Sequence, residues 1–165
     1  VLDMGCGTGL CGLLAAFCGA SRVVLTDIKA IINVARENLA LFVEQGILDV
    51  NANVSCECFE WQNSDASEPG RYDAILASDC LYDTTYYADL VRAFKRLIKH
   101  DGFILIVYKM RHADREQEFF KMLVKEEFYV SILKDDIIDS SLQHLRGSGL
   151  YVVIATRHSF QEKDR

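Results

Sequence analysis

Val1-Leu2-Asp3-Met4-Gly5-Cys6-Gly7-Thr8-Gly9-Leu10 reads as the end of a buried strand, a turn of alternating glycines and the start of a helix. Glycines at every second position strip the side chains from one short turn. Backbone there can adopt φ > 0, and a ligand can lie directly against it. The helix that follows aims its unpaired N–H groups and the positive end of its dipole at the same place. Such a turn, between a parallel strand and a helix, is a nucleotide or nucleoside site in a doubly wound α/β domain.

Two ligand classes compete for this turn. Gly7-Thr8-Gly9-Leu10-Cys11-Gly12 fits the dinucleotide pattern G-x-G-x-x-G, which leaves an NAD-dependent oxidoreductase open. Asp3-Met4-Gly5-Cys6-Gly7-Thr8-Gly9 fits a second pattern, in which an acid precedes the glycines. A carboxylate at Asp3 repels a pyrophosphate and suits a ligand with a cationic amino-acid end. S-adenosylmethionine carries a sulfonium and an ammonium and no phosphate. The expectation is therefore this cofactor, with Asp3 among its binding residues.

The chain has 165 residues, half of them hydrophobic and a quarter charged, which suits one globular domain. The reading takes residues 1–160 as that domain and 161–165 as a frayed tail. Val1 opens in mid-strand, so an upstream part of the domain is expected to be missing. A net charge of −6 argues against a broad nucleic-acid surface. No apolar run is long enough to cross a membrane as a helix. The six cysteines show no C-x-x-C pair and sit in apolar contexts. They read as buried reduced thiols, which implies a cytoplasmic protein with the nucleus as a second location. Cys56 and Cys58 share a strand face, but no nearby histidine completes a zinc site, and no metal is expected.

Apolar patterning places the elements. Leu10–Cys18 is small and apolar all round, a helix packed on a sheet and stopped by Gly19. Arg22–Asp27 is a buried parallel strand, and Ile32, Ala35, Leu39, Phe42 and Val43 mark the next helix. Asn53–Trp61 alternates as a strand, and a polar loop with Pro69 follows. Tyr72–Asp79 is another strand. Tyr87, Leu90, Val91, Phe94, Leu97 and Ile98 line one helix face, capped by Asp83 or Thr84 and broken at Asp101-Gly102. Phe103–Tyr108 is a central strand and Arg115–Glu127 a helix. Phe128–Leu133 and Leu150–Thr156 are late strands with no long helix between them. The result is a mostly parallel sheet that ends in an antiparallel hairpin.

In such a sheet ligands sit beyond the carboxyl ends of the strands, so the residues that close each strand matter most. Asp27 ends the second strand, about twenty residues after the glycine turn, where an acid binds ribose hydroxyls. It could also cap the following helix. Trp61 ends the third and could stack on a purine or fill the sheet edge. Ser78-Asp79-Cys80-Leu81-Tyr82 leaves the fourth, and its acid and phenol face the glycine cleft as a candidate catalytic pair. Alternatively, Asp79 caps a helix with Tyr82 packed beside it. Lys109 and Arg111 read as solvated charges, or as partners for an acid. His100, His112, His144 and His158 read as surface residues.

These residues together resemble a known family, the seven-strand protein-lysine methyltransferases with a D-x-x-Y motif, the methyltransferase-like 21 group and its relatives. The resemblance rests on Leu2–Leu10, Leu25-Thr26-Asp27, Glu60-Trp61, Tyr72–Tyr82, and Arg115 with Phe119-Phe120, nearly the whole chain. It implies a Rossmann-like class I methyltransferase fold, truncated at its N-terminus, and transfer from S-adenosylmethionine to a lysine of a protein substrate. It implies that Gly5, Cys6, Gly7, Asp27, Trp61 and Ser78 line the cofactor, and that Asp79 and Tyr82 face the lysine. Asp3 stands where the family has Glu, and Ser78 where it has Ala or Gly. The family's N-terminal segment, whose tryptophan helps enclose the cofactor, is not in this sequence. A monomer is expected. A non-catalytic binding module and a methyltransferase for another acceptor stay open beside the lysine enzyme.

Overall fold

The computed structural model describes residues 1–66, 71–133 and 148–158. Pro69, His144, most of the polar segment before Gly149 and the 161–165 tail lie outside them. The order is β1 (Leu2–Met4), α1 (Leu10–Phe17), β2 (Val23–Asp27), α2 (Ile32–Glu44), β3 (Val54–Cys58), β4 (Tyr72–Ser78), α3 (Tyr87–Leu97), β5 (Ile98–Lys109), α4 (Ala113–Lys125), β6 (Tyr129–Ile132) and β7 (Leu150–Thr156). Two short 3₁₀ turns, Trp61–Ala66 and Thr84–Tyr86, stand after β3 and before α3.

The seven strands form one sheet in the order β3-β2-β1-β4-β5-β7-β6. β1 is central: Leu2 pairs in parallel with Val24 of β2 on one side and Ile75 of β4 on the other. The chain order reverses between β1 and β4, and a crevice opens there at the carboxyl ends of the strands. The expected hairpin is present. β7 runs antiparallel to β5, from Phe103↔Thr156 to Lys109↔Leu150, and β6 pairs antiparallel with β7 at the edge. The fold is thus Rossmann-like, a parallel sheet finished by an antiparallel pair.

Two apolar layers sandwich the sheet. On one face Ile104 and Ile106 of β5 pack with Leu90, Phe94, Phe119 and Leu123 from α3 and α4. Tyr87, Leu90, Val91, Phe94 and Leu97 are buried, so the helical spacing was legible. On the other face Leu13, Val23, Leu25, Ile32 and Ala35 join α1 and α2 to β2. Helix α1 departs from expectation: it buries only Gly12 and Leu13, and Leu10, Leu14 and Phe17 are exposed. Composition could not show that one face alone meets the sheet. The thiols also differ: Cys80 is buried, but Cys18 and Cys58 are exposed.

The expected break at Asp101-Gly102 also moves. Helix α3 ends at Leu97, because Ile98 is extended at φ −75, ψ 138 and already pairs with Tyr72. The register then slips, with Ala74 opposite Phe103, so 99–102 form an irregularity within β5. Gly102 is obligatory there, since a Cβ would lie 2.7 Å from the carbonyl oxygen of Asp73. Relieving that overlap means moving backbone. Gly102→Ala is therefore expected to destabilise the protein by about 1–3 kcal/mol, seen as a lower urea midpoint. An unchanged midpoint would show that the β4–β5 irregularity is not tightly packed.

Candidate functional site

The glycine turn is stitched to β2. Cys6 N–H donates to the carbonyl of Thr26 at 2.9 Å, and Gly5 and Gly7 take left-handed backbone angles, φ 67 and 55. A Cβ on Gly5 would stand 3.0 Å from Cys80 Sγ and 3.2 Å from Trp61 Cζ2, whereas a Cβ on Gly7 would meet nothing within 4 Å. Gly5 thus lies under the indole and Gly7 faces open space. Asp27 holds the turn: Oδ2 accepts from Gly7 N–H and Oδ1 from Ile28 N–H, both at 2.8 Å. A carboxylate has about four acceptor positions, so lone pairs remain for a ligand.

A cavity of about 650 Å³ opens on this turn, lined by Gly5, Gly7, Asp27, Trp61, Asp79 and Tyr82 together with Phe59, Tyr86 and a few neighbours. Its size suits a cofactor-sized molecule. Trp61 is half-buried and meets Tyr86 edge-on, with centroids 6.2 Å apart. It opens the 3₁₀ turn instead of closing β3, which ends at Cys58. Among the described residues three carboxylates, Asp27, Glu60 and Asp79, line the wall, and no lysine, arginine or histidine does. The field in the cavity favours a cationic guest.

Three residues expected in the cofactor wall, Asp3, Cys6 and Ser78, are not among those that line the cavity. Asp3 is 1% exposed, and its Oδ2 accepts from Gly12 N–H at 2.8 Å. It braces the first turn of α1. Burial pushes its carboxyl up to about 6, against the Gly12 hydrogen bond and with help from Asp27. Cys6 turns toward the α2 side of the sheet, where burial pushes its thiol up to about 12 and keeps it neutral. Ser78 ends β4, next to the Cys11 thiol. Residue spacing puts these groups near the turn but says nothing of which way each points.

Asp79 and Tyr82 both line the cavity. The alternative for Asp79, a helix cap, is taken by Asp83, whose Oδ1 accepts from Thr85 N–H at 2.9 Å. Asp79 itself has φ 56, and its N–H donates to the carbonyl of Val107 at 2.7 Å. Its carboxylate is gripped by Arg111, Nη1 to Oδ1 at 2.7 Å and Nη2 to Oδ2 at 2.9 Å. The sequence reading offered Arg111 as a solvated charge or as a partner for an acid, and the structure pairs it with Asp79. The signal was the pairing of β4 with β5 up to Ser78↔Val107, which brings the exits of both strands together.

The family model described as lysine methyltransferase matches residues 1–126. The chain belongs to the lysine methyltransferase family. Among relatives of this chain is the protein-lysine N-methyltransferase rrg1 of Schizosaccharomyces pombe, 30% identical over 122 residues, 70% of this chain and 40% of that protein. Another is the protein N-lysine methyltransferase METTL21A of Mus musculus, 30% identical over 131 residues, 79% of this chain and 57% of that one. The chain thus spans about half the length of these two relatives. An O-methyltransferase family protein of Burkholderia thailandensis shares the fold, with a TM-score of 0.73, 14% identity and cover of 97% of this chain and 51% of that one.

The buried acid of this family member generates a stability prediction. The folded protein holds the Asp3 proton to about pH 6, whereas an unfolded chain releases it near 3.9. Stability is therefore lost as pH rises between those values, by about 3 kcal/mol in all. Asp3→Asn keeps an oxygen for Gly12 N–H and has no such dependence. From about pH 4 to pH 7 the variant should gain about 2 kcal/mol on the wild type in urea unfolding. A constant difference across that range would place the ionisation elsewhere.

Proposed function

We propose that this chain carries the cofactor and acceptor sites of an S-adenosylmethionine-dependent protein-lysine N-methyltransferase. The observation that carries the reading is the cavity: bare glycine backbone beneath an indole, three carboxylates on the wall and an acid–phenol pair at the mouth. These residues fit the donor, which is cationic at sulfur and at its amino group and brings an aromatic base and a ribose. Trp61 offers a face to the base, and Asp27 has lone pairs for the ribose hydroxyls. A pyrophosphate would meet Asp27 and Glu60 as like charges, so the same wall disfavours a dinucleotide.

When bound, the donor supplies an electrophilic methyl group on sulfur. The protein's part is to deliver a lysine nitrogen with a free lone pair. Asp79 accepts a hydrogen bond from that nitrogen, and Tyr82 narrows its line of approach, so positioning is the main contribution. Burial, then the nearby Cys80 and Asp27, holds the Tyr82 phenol above its ordinary range, which keeps it a neutral donor. The six cysteines are free thiols, which supports a reducing, cytoplasmic location.

Transfer of labelled methyl groups by the full-length protein to heat-treated lysate tests the reading, with calorimetry on S-adenosylhomocysteine beside it. Asp79→Ala should abolish transfer and leave binding within a few fold. Asp27→Ala should weaken binding by about 10- to 150-fold, the loss of a charged contact contributing about 1.5–3 kcal/mol. A wild type that binds NAD and not S-adenosylhomocysteine would overturn the assignment.

A further inference from the structure

We infer that Arg111 is a positioning residue of the acceptor site, which fixes the Asp79 carboxylate and offsets its charge so that lysine is received as the free amine. The inference rests on the methyltransferase reading above. A lysine in water is protonated at pH 7, its pKa being near 10.4. A lone carboxylate beside it strengthens that preference and holds the ammonium, which has no lone pair to attack with. An Asp79 already paired with a guanidinium has little net charge. It can still accept an N–H from the amine on a remaining lone pair, so orientation survives while the bias toward ammonium is removed.

Geometry supports this division of labour. Each Asp79 oxygen takes one guanidinium N–H, at 2.7 and 2.9 Å. Asp79 lines the cavity and Arg111 does not, so Arg111 and an acceptor address the carboxylate from different sides. Both backbones are pinned. Asp79 N–H donates to Val107 at 2.7 Å, and Arg111 N–H donates to Glu116 Oε1 at 2.9 Å. Glu116 is 3% exposed and also accepts from His112 N–H, so the acid that anchors Arg111 is itself set in the first turn of α4. The Asp79–Arg111 pair is about half exposed, with side chains at 55% and 42%, and such a pair adds little to folding stability. Its two-pronged geometry is better explained by what Asp79 does.

The other charged groups at this mouth leave Arg111 as the counterweight. From the exits of β2 and β3 come Asp27 and Glu60, and from the segment after β4 come Tyr82, Asp83 and Tyr86, all acids or phenols. Lys109 and His112 flank Arg111 with exposed side chains. Among the described residues Arg111 is the group that hydrogen-bonds the Asp79 carboxylate. The reaction balances simply. The ammonium proton leaves to solvent, the nitrogen lone pair forms the C–N bond, and the C–S pair returns to sulfur.

The test compares wild type, Arg111→Met and Arg111→Lys. Methyl transfer to heat-treated lysate is followed from pH 6.5 to 10, and binding of S-adenosylhomocysteine and sinefungin, whose amine stands in place of the donor methyl, is measured at pH 7. Arg111→Met should move the acid limb of the rate profile up by about one pH unit, about tenfold in rate at pH 7, and approach the wild type near pH 10. It should bind S-adenosylhomocysteine within about twofold of wild type and sinefungin about fivefold more tightly, the protonated amine no longer facing a second cation. Arg111→Lys should restore the limb. An unmoved limb in Arg111→Met, or an unmoved sinefungin preference, overturns the inference even where transfer is slow. A wild type that binds no S-adenosylhomocysteine overturns the methyltransferase reading and this inference together.

Discussion

The clasp between Asp27 and the glycine turn is the interaction on which the site depends. A turn without side chains has nothing of its own to hold it in one shape, and glycine gives up more freedom on ordering than any other residue. Asp27 supplies the restraint from the next strand, through two charge-assisted hydrogen bonds of 2.8 Å to Gly7 and Ile28. The clasp is possible because β2 lies beside β1 in parallel, with Asp3 opposite Leu25 and Met4 opposite Thr26. Both strands therefore release their chains at the same level. One carboxylate then sets the floor of the cavity and presents its remaining lone pairs to whatever enters.

The two acids before and after that turn divide the work by burial. Asp3 is sealed inside and braces α1 through Gly12, at the cost of a carboxyl that burial pushes up to about 6. Asp27 stays partly open to the cavity and can serve a ligand as well as the backbone. Of the two thiols nearby, Cys6 is half-buried and packs toward α2, and Cys80 is buried with its sulfur against Gly5, donating to the carbonyl of Met4 at 3.2 Å. Position relative to the low-dielectric core, and not residue type, decides which polar group is structural.

At the other side of the crevice, strand ends again bring function together. Asp79 takes a left-handed backbone angle, φ 56, that aspartate tolerates better than most residues. The hydrogen bond to Val107 holds it in that conformation, and Arg111 arrives from the end of β5, 32 residues later. The proposed acceptor site, built from two adjacent strand exits, is stiffer than one built on a single loop. Positioning chemistry depends on that stiffness.

Much of this protein was legible in its sequence, because the signals were local. The glycine turn, the β-branched strands and the Tyr87–Leu97 stripe each follow from periodicity that short-range sterics and burial impose. Strand-closing residues such as Asp27, Asp79 and Tyr82 could be picked out once a parallel sheet was inferred, since that architecture puts every strand exit in one crevice. What the tertiary structure alone decided is direction and pairing. It left Asp3, Cys6 and Ser78 out of the cavity lining, exposed one face of α1 and brought Arg111 onto Asp79. Those outcomes depend on the register between strands and on which side of the sheet each side chain faces, quantities set by contacts among residues far apart in the chain.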